Sequence, residues 1–377
     1  MEKKKILVFI DWYLPGFRAG GPIRSCANLI SHLSDEFDFN IVTTDTDYMT
    51  STPYPSVNKD VWNKQQDGSK VYYISKQNLN SQTIKKIIEE VEYDYYYVNG
   101  VFSYFFTMVP LKLIADKMKV IVAARGMLAP SALSIKSFKK KVYLDYVKIT
   151  GLFSGVIFQA TSKDESSHIQ KIFSKNKIVI APNLPRRVDM TNVAKKVKKS
   201  GVLKLLNIAR IAPEKNLYYA LEILKNIKSN VEFDFYGSVY DETYAEQCFK
   251  TITSLPENIK ANYKGERNPD ELFELMKDYH FLFLPSAGEN FGHVILESML
   301  AGVPVIISDN TPWKELEKGK AGWDVSLSEP KRFIEIIEKC IAMGQEEYDI
   351  YSKGALMLAS RFCNDGDVLQ ANKKLFS

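Results

Sequence analysis

The stretch FLFLPSAGENFGHVILESMLAGVPVIIS, residues 281–308, decides the fold class of this chain. It opens with a short apolar run at 281–285 and continues through a polar, glycine-containing loop into a helix predicted at 291–301. It closes with a second apolar run at 304–308. Short apolar runs separated by a segment of helical length are typical of parallel strands joined by a right-handed crossover. The stretch therefore predicts a β-α-β unit.

Units of the same kind extend on both sides of this stretch. Segments with the helical spacing of apolar residues separate most of the other apolar runs, and the chain from about residue 330 onward is predicted to be helical. The sequence therefore predicts an α/β protein built from two successive doubly wound parallel sheets. The further apolar runs that predict strands are 5–10, 39–44, 71–75, 93–98, 119–124, 156–160, 177–181, 203–209, 231–236 and 259–264.

The join between the two series lies in 186–201, the segment with the weakest pattern. We place an N-terminal Rossmann-like domain at 1–195 and a C-terminal Rossmann-like domain at 196–360. Residues 361–377 are predicted to form a helix that packs back on the N-terminal domain. Two such domains are expected to face each other across a cleft, and ligands of doubly wound sheets bind beyond the carboxyl ends of the strands. We therefore sought candidate residues directly after each strand.

Composition and charge exclude several classes of protein. The chain has 377 residues, of which 50 are basic and 45 acidic, and this balance is too even for a typical nucleic-acid-binding protein. No run reaches the roughly 18 apolar residues of a membrane-spanning helix, and the N-terminal apolar run is too short for a signal peptide. We expect a cytoplasmic protein, since scattered cysteines without a C-x-x-C pair are typical of free thiols in a reducing compartment. The cysteines are Cys26, Cys248, Cys340 and Cys363.

Two lysine-rich runs stand out, at 139–141 and 195–199. One interpretation of each run is a solvated face or a linker. The alternative is attraction to anionic lipid or to a phosphorylated acceptor. On that alternative, the basic runs and the C-terminal helices would let the protein associate peripherally with the inner face of a membrane.

The loop after the run at 281–285 has the richest chemistry. Gly288 and Gly292 allow the backbone to approach a ligand closely, and the following helix begins with unpaired N–H groups that suit a phosphate. Glu289 lies in the loop, and Glu297 lies about two turns along the same helix. Carboxylates accept hydrogen bonds from sugar hydroxyls, so one could hold a hexose and the other a ribose. The alternative is that Glu289 is an exposed loop charge and Glu297 a capping or helix-face carboxylate.

A second loop follows the run at 203–209. Arg210 and Lys215 are cations at the end of a predicted buried strand, where they could neutralise the charge that develops on a departing phosphate. The alternative is a surface ion pair of Lys215 with Glu214 or Glu222. A third loop, after the first strand, contains Gly20 and Gly21 before a predicted helix, and either a phosphate-cradling turn or a tight structural turn fits that pattern.

Together, these loops and the order of strands resemble the GT-B-fold retaining glycosyltransferases of family 4, also described as glycosyl transferases group 1. The segment ENFGHVILE, from Glu289 to Glu297, fits the E-x7-E motif of that family, and SMLAGVPVI continues in the family's pattern. The resemblance covers nearly the whole chain and is most specific in the C-terminal domain. The other matches to family landmarks are Arg210, Lys215, Gly20, Gly21, 160–162 and 181–183.

The resemblance implies a role for each candidate residue. Glu297 would hold the ribose hydroxyls of a nucleotide-sugar, and Glu289 with the backbone of 290–292 would hold the transferred sugar. Arg210 and Lys215 would act with Glu289 in catalysis by stabilising the leaving diphosphate. No metal or other cofactor would be needed, and the anomeric configuration would be retained. The residues that the resemblance assigns to substrate binding are Gly20, Gly21, Arg125, Gly265, Arg267, Asn290, Phe291, Gly292, His293 and Glu297.

Three of these assignments carry a qualification of their own. Gly265 and Arg267 belong to a loop expected near the nucleotide base. Arg125 stands where the family often carries a histidine, so it would contact the donor or the acceptor, and the donor phosphate would take the acceptor proton. His293 is the histidine nearest to the site, and the alternative is that it packs at the helix start.

The motif Asp45-Thr-Asp47 resembles a metal-binding D-x-D motif, but we assign it no metal because it ends a strand of the first domain.

The sequence thus predicts a glycosyltransferase that moves a hexose-type sugar, with a UDP-sugar as the expected donor, onto a glycan or polyprenyl-linked acceptor. Surface polysaccharide biosynthesis is the expected setting, and an anionic membrane surface is a further expected partner. One alternative is a nucleotide-sugar epimerase on the same fold. The other alternative is a non-catalytic sugar-nucleotide-binding protein.

Overall fold

The computed structural model describes residues 2–134, 137–187 and 196–377. The chain divides into two compact units, of which the first comprises Met1–Arg187 with Asp365–Ser377 and the second Val188–Asn364. The boundary that we expected after residue 195 falls on residues outside the described part of the chain. Each unit has its own parallel sheet covered by helices, so the fold class is the one predicted from the alternation of apolar runs and helical segments.

The first unit is built on an eight-stranded sheet with the order β3-β4-β2-β1-β5-β6-β7-β8. All neighbouring strands are parallel except β3 and β4, which are antiparallel. The central strand β1 is buried on both faces, as helix-covered parallel sheets require. The strands are β1 Lys4–Phe9, β2 Phe37–Thr44, β3 Trp62–Lys64, β4 Lys70–Ile74, β5 Tyr95–Asn99, β6 Val120–Ala123, β7 Ile157–Ala160 and β8 Lys177–Ile180.

Six α-helices lie between these strands in the part of the first unit that the structure describes. The helical segment between β5 and β6 is broken into a π-helical turn at Tyr104–Met108, the short helix α3 and a 3₁₀ turn at Lys117–Lys119, because Pro110 has no N–H to continue a helical ladder and lies in the first turn of α3. The helices are α1 Gly21–Leu33, α2 Ser81–Glu90, α3 Val109–Leu113, α4 Pro130–Ser134, α5 Ser137–Thr150 and α6 Lys163–Ile172.

The second unit contains a six-stranded, all-parallel sheet with the order β11-β10-β9-β12-β13-β14. The strand at 322–325 was not predicted, because its four residues are too short to show a period. The strands are β9 Leu203–Ile208, β10 Val231–Tyr236, β11 Ile259–Tyr263, β12 Phe281–Leu284, β13 Val305–Ser308 and β14 Gly322–Val325. The helices are α7 Leu217–Leu224, α8 Glu242–Ile252, α9 Pro269–Met276, α10 His293–Leu300, α11 Pro330–Ala342 and α12 Gln345–Cys363.

Local sequence explains why several of these elements begin where they do. At α9 the Asn268 side chain accepts a hydrogen bond from the Asp270 N–H, and Pro269 occupies the first turn, so local sequence fixes the start of this helix. The predicted helical character from about residue 330 onward is confirmed by α11, α12 and a last helix, α13, at Gly366–Lys373. None of the described helices is both long and apolar enough to cross a lipid bilayer.

The second lysine run differs from both interpretations of it. Lys195 lies outside the described residues, but Lys196 and Lys198 are buried, with 9% and 2% of their surface exposed. The Lys196 ammonium donates to the Ala301 carbonyl at the end of α10, and Lys198 donates to the carbonyls of Ile341 and Met343. These two lysines donate to carbonyls at helix C-termini, which have no N–H donor within their own helix. Lys196 and Lys198 therefore fit neither a solvated linker nor a lipid-binding patch, whereas Lys199 is exposed.

Candidate functional site

The carboxyl edge of the second sheet brings two of the predicted loops together. Strands β9 and β12 are parallel neighbours, so the loops that follow them leave the sheet side by side. The Ala287 N–H donates to the Glu214 carbonyl at 2.9 Å, and the Asn216 side chain donates to the Pro285 carbonyl at 3.0 Å. The loop after β12 is thus fixed by its neighbour before any ligand binds.

The loop after β13 supports the other side of the same loop. The Glu289 N–H donates to the Asn310 carbonyl at 3.0 Å, and Asn310 is the second residue after β13. Sequence analysis did not identify Asn310, because its role depends on the adjacency of β12 and β13 and has no local signature.

Lys215 and Glu289 form an ion pair at the centre of this edge. The Lys215 Nζ lies 2.7 Å from Glu289 Oε1, and the two side chains are only 19% and 11% exposed. Glu289 is therefore not the exposed loop charge that sequence analysis kept as an alternative. Salt screens the attraction within a partly enclosed ion pair less than the attraction within a surface pair. The short contact with Lys215 also holds the Glu289 carboxylate in a defined position.

Arg210 is the second cation at this edge. Its guanidinium lies 3.2 Å from a Glu214 carboxylate oxygen and 4.8 Å from the centroid of the Tyr240 ring. Glu214 thus pairs with Arg210, so the expected alternative of a surface pair between Lys215 and Glu214 is wrong. The flat guanidinium is oriented by both contacts while about a third of the side chain stays exposed.

Helix α10 begins beside the ion pair. Its N-cap, Gly292, has a left-handed backbone with φ of 74°, which a residue with a side chain adopts only with strain. The first turn of any helix presents N–H groups that have no acceptor within the helix, and these give the N-terminus a positive potential. The start of α10 can therefore accept an anion next to Lys215.

The two rings at the start of α10 are packing groups. Phe291 is 7% exposed, its carbonyl accepts a 2.7 Å hydrogen bond from Trp313 Nε1, and its ring centroid lies 4.7 Å from that of His293. His293 is itself buried, which agrees with the packing alternative that sequence analysis kept open for it. The ring of Phe291 thus packs against His293 and Trp313.

Glu297 lies one turn into α10, whereas Glu289 lies in the loop before the helix and not two turns away on the same helix as expected. It is 4% exposed, so its carboxylate is enclosed by protein, in contrast to the carboxylate of Glu289. A buried carboxylate requires hydrogen-bond donors, which makes a simple helix-face role on the surface wrong for Glu297.

The loops after β10 and β11 complete the carboxyl edge. The Gly237 N–H donates to the Gly265 carbonyl at 3.0 Å. A Cβ added to Gly237 would lie 1.9 Å from the Ala209 carbonyl oxygen, so only glycine allows these loops to approach the one after β9. This requirement for glycine at position 237 was not predicted from the sequence. Arg267 is exposed in the same region, with its guanidinium near the Glu266 carbonyl at 3.2 Å.

The predicted residues of the first unit also meet at the carboxyl edge of their sheet. Gly20 caps α1 with φ of 70°, and the space around Gly20 and Gly21 is open, since an added Cβ would meet no atom within 4 Å. The Asn99 side chain at the end of β5 donates to the Pro22 carbonyl and accepts from Arg125 Nε at 2.9 Å. Asn99 therefore links the glycine turn to Arg125.

Arg125 is engaged on all three guanidinium nitrogens. Besides the bond to Asn99, it donates to the Tyr97 hydroxyl at 2.6 Å and to the Asn183 side chain. A substrate that contacts Arg125 would bind a guanidinium that already donates to Asn99, Tyr97 and Asn183. The arrangement makes Arg125 the connection between the ends of β5 and β6 and the segment after β8.

The D-x-D motif anchors a loop in the first unit. The Asp47 carboxylate accepts hydrogen bonds from the N–H groups of Phe17, Arg18 and Tyr48. Because these bonds hold the chain that leads to Gly20, Asp47 has a structural role in the glycine turn.

Comparison with known proteins agrees with this architecture. Residues 189–356 match the protein family described as Glycosyl transferases group 1. A 41.2 kDa protein in the cps region of Klebsiella pneumoniae is 25% identical over 294 residues, which cover 72% of this chain and 79% of that protein. The sulfoquinovosyl transferase SQD2 of Arabidopsis thaliana is 29% identical over 164 residues, which cover 38% of this chain and 30% of that protein.

Solved structures with the same fold cover almost the whole chain. Anabaena HepE in complex with UDP and glucose gives a TM-score of 0.71 at 18% identity, covering 99% of this chain and 98% of that one. Sucrose-phosphate synthase from Thermosynechococcus elongatus gives a TM-score of 0.75 at 13% identity, covering 100% and 98%. The fold is therefore GT-B. Together with the family match of residues 189–356, this fold supports the assignment of the chain as a glycosyltransferase.

Proposed function

We propose that this chain transfers a hexose-type sugar from a nucleotide-diphosphate sugar to a glycan or lipid-linked acceptor, with retention of the anomeric configuration. The observation that carries the proposal is the enclosed pair of Lys215 and Glu289 at the start of α10, on the edge where doubly wound sheets bind ligands. A UDP-sugar is the proposed donor, since HepE is described in complex with UDP-glucose.

The diphosphate of the donor would bind at the cationic end of this edge. Arg210, Lys215 and the first turn of α10 together provide two positive charges and a set of backbone donors. When the bond to the sugar breaks, negative charge grows on the departing phosphate, and preorganised donors stabilise that state more than the ground state. Because these groups supply the positive charge, we propose that the reaction needs no metal.

The transferred sugar would bind at Glu289. Lys215 occupies Oε1, so Oε2 can accept a hydrogen bond from a sugar hydroxyl, and the backbone of 290–292 borders the same space. The ribose would bind Glu297, whose enclosed carboxylate would receive the hydroxyl donors. The base would lie near the loop that contains Gly265 and Arg267.

The acceptor would bind the first unit at the glycine turn. The open space at Gly20 and Gly21 gives an acceptor access to the backbone, and Arg125 would keep that turn in place through Asn99. Because Arg125 is always protonated, it cannot take the acceptor proton. We propose that a phosphate oxygen of the donor takes that proton while the acceptor attacks on the face from which the diphosphate leaves.

A role in surface polysaccharide biosynthesis is also part of the proposal. It is supported by the relative in the cps region of Klebsiella pneumoniae. The epimerase and the non-catalytic binding protein are not favoured, since the match over 189–356 is to a transferase family.

The proposal is tested first by donor binding. UDP-, GDP- and ADP-sugars are compared by thermal shift, and the UDP-sugar is expected to stabilise the chain by about 2.7 kcal/mol at a concentration near one hundred times its Kd. Release of UDP is then measured with and without a polyprenyl-linked sugar acceptor. An epimerase would convert the donor without acceptor, and a binding protein would release no UDP, so either result would refute the proposal.

Glu289→Ala tests the site within the second unit. We expect acceptor-dependent UDP release to fall at least about one hundredfold, because the variant lacks the group that positions the transferred sugar. The matched control is Glu246→Ala, an exposed carboxylate on α8 that should leave transfer unchanged. Full activity of Glu289→Ala with an unchanged melting temperature would show that the sugar binds elsewhere.

A further inference from the structure

Helix α5 presents a second apolar face to solvent, opposite the one that packs on the sheet. Val147 is 1% exposed and belongs to the core of the first unit. In contrast, Phe138 is 78% exposed, Val142 54% and Ile149 86%. The exposed residues are spaced by four and seven positions, so they lie on one side of the helix, about half a turn from Val147.

Tyr146 extends the same exposed side. Its side chain is 38% exposed, and the Lys112 ammonium lies 5.7 Å from its ring centroid. We call the exposed side of the helix formed by Phe138, Val142, Tyr146 and Ile149 the α5 outer face. Single exposed apolar side chains are common on protein surfaces. Four large ones that form a contiguous patch on one helix indicate an interaction surface.

Lysines border the α5 outer face on both sides. By helical position, Lys139 lies along one margin, and Lys141 and Lys148 lie along the other. All three are exposed, and no carboxylate of the described residues forms an ion pair with any of them. Asp145 is the one acidic residue in the sequence of this helix; it is exposed and, by helical position, lies between Phe138 and the margin of Lys141 and Lys148. Three lysines against one aspartate leave the face with its margins positively charged.

Lys140, the middle residue of the first lysine run, does not belong to this surface. It donates to the Ala132 carbonyl, and its ammonium lies 5.4 Å from the centroid of the Phe102 ring. The run at 139–141 therefore divides into one lysine that holds α5 against the unit and two that remain available to a partner.

We propose that the α5 outer face binds the surface of an anionic lipid membrane. An apolar strip between two rows of lysines matches the boundary between acyl chains and headgroups, because the apolar side chains enter the boundary while the lysine ammonium groups extend to the phosphates. The charge complementarity selects an anionic surface over a neutral one. This inference is independent of the proposed glycosyl transfer, since it concerns a different surface and needs no substrate.

Vesicle flotation with the full chain tests the proposal. The chain is expected to float with vesicles of about 70% phosphatidylcholine and about 30% phosphatidylglycerol, and to stay unbound with phosphatidylcholine alone. The double variant Phe138→Ser with Ile149→Ser should reduce binding at least about tenfold, because two large side chains no longer enter the membrane. The matched control is Ile350→Ser with Met357→Ser on α12, where the side chains are also exposed, at 55% and 62%.

A second variant tests the role of charge. Lys139→Gln with Lys141→Gln should weaken binding to the anionic vesicles by roughly 25-fold, since each lysine near such a surface contributes about a fivefold factor. Lys225→Gln with Lys331→Gln is the control for charge at other exposed positions. Equal binding of wild type and the Phe138/Ile149 variant, or no binding to either vesicle, would overturn the proposal. A dimer that this variant abolishes, without vesicle binding, would overturn it in favour of a second copy of the chain.

Discussion

At the scale of single residues, the candidate site depends on two oppositely charged side chains that lie 74 positions apart in the sequence and 2.7 Å apart in space. Each was identified from its own loop, because a charged residue directly after a buried strand is a local signal. Their pairing was not predicted, since it depends on β9 and β12 being neighbours in the sheet. The pair explains how a carboxylate can stand beside an anion site, because Lys215 compensates the negative charge of Glu289.

Replacing Lys215 by Ala is expected to weaken the binding of UDP about ten- to one hundredfold. A charge-assisted hydrogen bond contributes about 1.5–3 kcal/mol, and the same substitution leaves the enclosed Glu289 carboxylate without its partner, next to the bound phosphates. Isothermal titration calorimetry with UDP measures the change. Lys225→Ala, at an exposed position after α7, is the control, and an affinity of Lys215→Ala equal to that of wild type would exclude the proposed phosphate site.

At the scale of secondary-structure elements, the loops after the strands of the second unit are tied to one another by backbone hydrogen bonds. The bounds of β9 to β13 were predicted within a residue or two, since apolar runs and turn residues are local features. The close approach of Gly237 to Ala209 was not predicted, because a glycine at a strand end has many possible causes.

His280 connects three elements of the second unit and gives it a dependence on pH. Its Nδ1 accepts a hydrogen bond from the Lys204 N–H at 3.0 Å, and its Nε2 lies 3.2 Å from the Val197 carbonyl oxygen. Burial lowers the pKa of His280 to about 4, and nearby lysines act in the same direction. The folded chain thus holds this histidine neutral, whereas the unfolded chain protonates it below about pH 6.5.

The sign of the effect follows from proton binding. Between about pH 6.5 and pH 4 the unfolded chain binds more protons at His280 than the folded chain, so the free energy of unfolding falls as the pH falls. In urea unfolding, this loss in the free energy of unfolding should reach up to about 3 kcal/mol at pH 4. The variant His280→Gln should not show the loss, because glutamine keeps a donor and an acceptor without titrating. His168→Gln is the control, and parallel pH profiles for wild type and His280→Gln would contradict the assignment.

At the scale of the whole molecule, the chain leaves the first unit, forms the second and then returns to the first with Asp365–Ser377. The returning segment enters the core of the first unit. Phe376 is fully buried and lies near the rings of Phe37, Phe39 and Tyr97, at centroid distances of 5.5–6.0 Å. The side chain of Asn372, on α13, donates to the Pro182 carbonyl.

Phe376→Ala is therefore expected to destabilise the first unit although the residue is next to the end of the chain. A buried phenylalanine truncated to alanine typically costs about 3–5 kcal/mol through lost burial and the cavity that remains. Calorimetry should show a lower melting temperature for the transition of the first unit. Met357→Ala, at an exposed position of α12, is the control. No change in the Phe376→Ala variant would mean that the C-terminal segment contributes nothing to the core.

The sequence by itself determined the two α/β series, the caps of helices such as α9 and the loop with its two glutamates, because periodicity, capping and turn chemistry act over a few residues. Only the tertiary structure decided which charges meet. It paired Lys215 with Glu289 and Arg210 with Glu214, and it buried Lys196 and Lys198, which looked like part of a solvated run. The physical reason is that such contacts depend on strand order and on the path of the chain, which join residues that carry no common local pattern.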